Sequence, residues 1–250
     1  MAGTIHEFDP DGDVILVLKN PSTDFAVWDD SKDYPLPYST PPTPATPGAP
    51  SPISSPASPQ RSPSEPIELA IHAASKNHTQ PAASGEAPSK DDVIHMRVSS
   101  SHLSLASSYF KAMLRGGWEE GQDLRRDGFL RVCEEGWDPE ALTIVMNIIH
   151  GHFRDVPREV SLEMLAKVIV IADYFKCVEI IEPFSERWID HLGVHLSQMK
   201  DLRNIVLWVW ISWTLRLSEK FELATFLASK YSRGPLQTLG LPIPEKIIGR

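Results

Sequence analysis

The sequence predicts an α+β fold: two or three short strands followed by five or more helices, with a C-terminal helical extension and a long disordered segment between the first strands. Three observations carry this. Short aliphatic runs at 13–18, 92–98 and 129–133 read as strands. From residue 99 onward the apolar residues recur with helical spacing. Between them, fourteen of the 22 prolines fall in residues 35–88, where aliphatic residues are scarce.

"DVILVL" (13–18) is continuous enough for a strand buried on both faces, and "KNPST" turns the chain after it. "DFAVWD" (24–29) is expected as a second short strand. Residues 35–90 are rich in Pro and Ser and bury too little apolar surface to offset the entropy of ordering, so a disordered or polyproline-like segment is predicted. A brief helical turn at "IELAIHAA" (67–74) is the one element expected inside it. "DVIHMRV" (92–98) restores order as a strand.

Leu103, Ala106, Phe110, Met113 and Leu114 then share one helical face, with Ser99, Ser100 and Ser101 as N-terminal caps. Ser107 is placed to cap a further turn, and Gly116-Gly117 stop the helix. "FLRVC" (129–133) alternates as a strand. Asp138-Pro139 opens a helix that ends at Gly151, with Leu142, Val145, Met146 and Ile149 on one face. Ser161 caps the next, carrying Leu162, Leu165, Val168, Ile169, Ala172 and Phe175. Helices at 180–192, with Pro183 near the first turn, at 202–217 and at 219–231 follow. The segments are thus 1–34 (first strands), 35–90 (insertion), 91–192 (the remainder of the α+β domain) and 193–250 (helical extension).

Composition narrows the function. The net charge is −9, and residues 1–34 hold eight acids against Lys19 and Lys32. Such a chain offers no basic face to displace counterions from nucleic acid. The most apolar run, 205–215, is too short for a bilayer, which needs about 20 residues. Asp9, Asp11 and Asp13 precede the first apolar run, so no secretory leader is expected. Cys133 and Cys177, the two cysteines, offer neither a disulfide framework nor a Cys-x-x-Cys metal site. A soluble cytoplasmic and/or nuclear protein is expected.

No G-x-S-x-G, G-x-x-x-x-G-K-[ST] or G-x-G-x-x-G pattern occurs. The expectation is a protein that is not an enzyme and has no catalytic residue, cofactor or metal; a small metal-dependent hydrolase is the remote alternative. His191 and His195 have a zinc-like spacing, but Gly193 interrupts them and the Glu of H-E-x-x-H is missing, so an exposed helix end is the preferred reading. His150 and His152 flank Gly151, where a cation suits the helix C-terminus. Trp208, Trp210 and Trp213 read as core. Trp208 and Trp210 cannot share one face, so at least one is expected to look outward or toward a partner.

Seven proline-directed sites, Thr40, Thr43, Thr46, Ser51, Ser55, Ser58 and Ser62, are candidates for phosphorylation, each adding nearly two negative charges. "PASPQR" (56–61) has the PxxPxR form read by an SH3-type domain; a plain spacer is the competing reading.

"MRVSSSHLSLASSYFKAML" resembles the BTB/POZ signature of a strand, a short helix and Leu-Ala-x-x-Ser-x-x-Phe. "DPEALTIVMNIIHG" resembles the family's next helix, "LEMLAKVIVIADYFKCVEII" its Ala-Asp-Tyr-Phe helix pair, and "DVILVL", led by Asp13, its first strand. "NPSTDFAVWD", "GGW" and "ISW" look like a fungal BTB-domain subgroup. Two features depart from the family. Ser99 stands where many members have a His that contacts a buried Asp, and a long insertion opens the first hairpin, which the logarithmic growth of closure entropy tolerates. The resemblance implies a small mixed sheet flanked by helical hairpins, interrupted by the long insertion, and used for protein–protein association, through a homodimer or other protein partners. Some members dock on a cullin scaffold as ubiquitin-ligase substrate adaptors through an apolar-x-Glu loop. Trp118-Glu119-Glu120 has that form, with a structural lid over the adjacent helices as the alternative for Trp118.

Overall fold

The computed structural model describes residues 5–29, 93–115, 130–193 and 195–248, all belonging to one compact unit. The insertion, the 67–74 turn, the seven Ser/Thr-Pro sites, the 56–61 motif and Trp118, Glu119 and Glu120 lie outside the described residues. Within them the protein is α+β, with a four-stranded mixed sheet and eight α-helices.

The strands are β1 (Ile5–Glu7), β2 (Val14–Lys19), β3 (Val93–Val98) and β4 (Leu130–Glu135), in the spatial order β1-β3-β2-β4. β2 runs antiparallel to β3, with Val14 opposite Val98 and Lys19 opposite Val93. β4 adds parallel to the other edge of β2, with Val14 opposite Leu130. β1 pairs parallel with β3 and is exposed throughout. Val14, Leu16, Val17 and Leu18 are buried, as expected of a central strand, whereas β4 alternates.

The helices are α1 (Ser100–Ala106), α2 (Ser108–Arg115), α3 (Pro139–Ile149), α4 (Leu162–Tyr174), α5 (Val178–Gly193), α6 (Leu202–Thr214), α7 (Ser218–Tyr231) and α8 (Glu245–Ile248). Asp138 and Ser161 cap α3 and α4 by accepting backbone N–H groups, as their sequence positions predict. Three helices end in one way. After α3, α4 and α6 a residue takes positive φ (Gly151, Lys176, Arg216), and the next N–H donates five residues back, from His152 to Asn147, Cys177 to Ala172 and Leu217 to Ser212. These 6→1 closures satisfy the terminal carbonyls, and only the first uses glycine.

Several expectations are corrected. Residues 24–29 form no strand. Ala26 sits at φ 49°, and the carbonyls of Phe25 and Ala26 accept hydrogen bonds from the Arg203 guanidinium in place of a neighbouring strand. The 99–115 stretch is two helices, broken where Ser107 becomes extended. The hydroxyl of Ser107 accepts the Phe110 N–H and so caps the second helix. Ser99 makes no side-chain cap; Asp13, just ahead of β2, does that work, accepting the N–H and hydroxyl of Ser100. Helix α5 starts at Val178, which places Pro183 inside it, beyond the first turn.

Helix α6 corrects the tryptophan expectation. Trp208 and Trp210 are 0% and 2% exposed, because α6 is covered on all sides. Helices α4 and α7 flank it, Leu241 and Ile243 join the same core, and Lys246 of α8 lies 4.7 Å from the ring centroid of half-buried Trp213. Neither buried indole N–H finds an acceptor among the described residues.

Candidate functional site

The Tyr109–Tyr174 aromatic face is fixed by a local lock between two helices. The Ser107 hydroxyl, which caps α2, also donates to the Phe175 carbonyl at the end of α4. Phe110 and Phe175 stack beneath it at 4.7 Å, both fully buried. Above them Tyr109, Trp137 and Tyr174 form a half-exposed layer. Tyr174 lies 5.5 Å from Tyr109 and 5.1 Å from Trp137, and 43% of it is open to solvent. Four residues ahead of Tyr109, Leu105 is 89% exposed. Rigid aromatics over a packed base provide contact area at little entropic cost, the character of a protein-binding anchor.

Glu134 borders this layer and accepts the Trp137 Nε1–H at 3.3 Å. Burial pushes its carboxyl up to about 6, against the lowering effect of that hydrogen bond. The buried Lys167 ammonium is committed to structure. Lys167 contacts Asp138 at 2.8 Å and Glu163 at 3.1 Å, and it donates to the Thr23 carbonyl. Burial opposes its charge, but the two carboxylates outweigh burial and raise its pKa. Arg203 adds a second cation to Glu163, so residues 23–26 are clasped by α4 and α6.

The expected histidine roles separate. His150 is buried and its pKa is lowered, chiefly by burial, so it is not the cation expected at the end of α3. Its Nε2 accepts the Ser99 N–H at 3.0 Å, which assigns the ring proton to Nδ1, where it donates to Met146. His191 and His195 are exposed, and among the described residues no group of three or more His, Cys, Asp or Glu is gathered to hold a metal. Cys133 and Cys177 are both free, and burial pushes the Cys177 thiol up to about 12. No helix among the described residues is long and apolar enough to cross a membrane.

Sequence reading assigned Phe110 and Phe175 to the core but missed the layer over them. Tyr109 and Tyr174 each precede one of those phenylalanines, and that paired Tyr-Phe step was the available signal. Trp137 joins from a turn that no periodicity links to either helix.

No protein-family model matches the chain, and no curated protein matches it.

Proposed function

We propose that this chain is a protein–protein interaction module of BTB/POZ type that performs no chemistry of its own and works by self-association or by pairing with other proteins. The observation that carries this reading is the order and pairing of its elements. An antiparallel β2–β3 pair leads into the short helices α1 and α2, β4 returns parallel to β2, and α3 precedes the α4–α5 pair. The stretches that resemble the family signature occupy those elements in that order. The half-exposed aromatic layer supports the reading further, because it offers anchors for a partner.

The test is recovery of partners from cells with the wild-type chain, Tyr174→Ala and Trp118→Ala, combined with light scattering of the purified proteins. A dimer, or a defined partner lost in either variant, supports an interaction module. Recovery of a cullin that Trp118→Ala abolishes selects the ligase-adaptor form. A monomer that retains no protein partner overturns the proposal.

A further inference from the structure

A second surface lies between the α3–α4 loop and α5. It is a groove of about 570 Å³ walled by Phe153, Pro157 and Phe184 and floored by Trp188. The floor is rigid: Trp188 is 1% exposed and donates its indole N–H to the Pro157 carbonyl at 2.9 Å. Phe184 lies 5.4 Å from Phe153, and Phe153 is 60% open to solvent. Every charged residue lining the groove is an arginine: Arg154 and Arg158 from the loop, and Arg187 from α5. All three are exposed, and none forms an ion pair among the described residues. Asp155, Glu159 and Glu186 adjoin these arginines in the chain, but none of the three acids lines the slot, so the charges that face it are the guanidiniums.

We infer that this groove binds a phosphorylated, proline-containing peptide segment of a partner protein. The charge complementarity is specific in kind. Guanidinium forks match the oxygens of a phosphoryl group, and a phosphoserine or phosphothreonine brings nearly two charges where a carboxylate brings one. An extended peptide with proline beside the phosphoresidue lays a flat, preformed apolar ring on Phe153 and Phe184. A polynucleotide would need a longer basic track than three arginines in an acidic chain provide. The groove shares no residue with the aromatic face around Tyr174, so either surface can fail without the other.

The test is fluorescence anisotropy of the full chain with a labelled peptide containing one phosphoserine followed by proline. The unphosphorylated peptide and a Ser→Glu peptide serve as comparisons, with a single-stranded RNA oligomer and anionic vesicles as further probes. The phosphopeptide should bind about tenfold or more tightly than the unphosphorylated form, with the Glu peptide between them. Arg187→Ala and the double variant Arg154→Ala/Arg158→Ala should each lose that preference while melting as the wild type does. Phe153→Ala should weaken all three peptides together. Equal affinity for phosphorylated and unphosphorylated peptide, or unchanged binding in the arginine variants, would overturn the inference. So would RNA or vesicles binding as tightly as the phosphopeptide, since the groove would then be an unselective cation patch.

Discussion

The ring nitrogen Nε2 of His150 accepts the backbone N–H of Ser99 across 3.0 Å, joining the end of α3 to the junction between β3 and α1. That N–H is buried at a helix start and has no neighbour within its own helix to accept it, so a lost acceptor leaves it unsatisfied.

The link makes stability dependent on pH. Burial lowers the His150 pKa in the folded state, with His102 and His152 adding to the effect against the Met146 carbonyl and Asp9. A depressed folded pKa means that the unfolded chain takes up the proton first. The contribution is therefore complete above the unfolded value near 6.5 and is lost as pH falls through the folded one. Thermal midpoints of wild type should fall between pH 7 and 5. His150→Gln, which can still accept and donate but does not titrate, should show a shallower fall. Parallel slopes for the two proteins would refute this.

Glu134 acts with the opposite sign. Its folded pKa is raised from 4.5 to about 6, so its contribution is present below 4.5 and is lost as pH rises through 6. At pH 7 the buried carboxylate costs about 2 kcal/mol. Glu134→Gln keeps an acceptor for Trp137 and should raise stability at pH 7 but not at pH 4, as urea titrations at the two pH values would measure.

Lys167→Met should cost about 3–5 kcal/mol, because it strands the buried Asp138 carboxylate without its cation. Adding Asp138→Asn removes the stranded charge and should recover part of the loss, since Asn also caps helices. A double variant no more stable than Lys167→Met alone would contradict this account.

Phe110→Ala should cost about 3–5 kcal/mol, the usual range for truncating a fully buried aromatic. Tyr174→Ala, by contrast, removes a half-exposed ring and should change stability by about 1 kcal/mol or less while weakening partner binding by about 30-fold. Denaturant midpoints and binding titrations on both purified variants check the contrast. A Tyr174 variant that loses stability but no affinity would make the aromatic face structural.

What could be read from the sequence was whatever neighbours in the chain decide. Asp138-Pro139 and Ser161 announced their helices because capping acts over three residues, and "FLRVC" alternated because one side of β4 faces the core. The failures all depend on distant residues. Residues 24–29 have strand-like composition, but Arg203 takes their carbonyls from 177 and 178 positions away. Trp208 and Trp210 cannot share one face of α6, yet Trp210 is buried in a core that Leu241 and Ile243, from the chain after α7, also join. The arginine groove combines a loop at 153–158 with a helix face at 183–188, and no local pattern connects them.

The central place of β2 bears on how the protein is made. On the ribosome "VILVL" emerges well before the strands that fill its two hydrogen-bonding edges, β3 and β4, the second of which is complete only at Glu135. At ordinary elongation speeds of about 5–20 residues per second, that interval lasts roughly ten seconds. Until β3 is complete at Val98 both edges of this aliphatic strand are open, and until Glu135 one still is, a template for pairing with a neighbouring nascent chain. The Arg203 clasp on residues 25–26 closes later still. Open strand edges during synthesis therefore make the yield of native protein sensitive to polysome crowding and to holding chaperones, besides the stability of the finished fold.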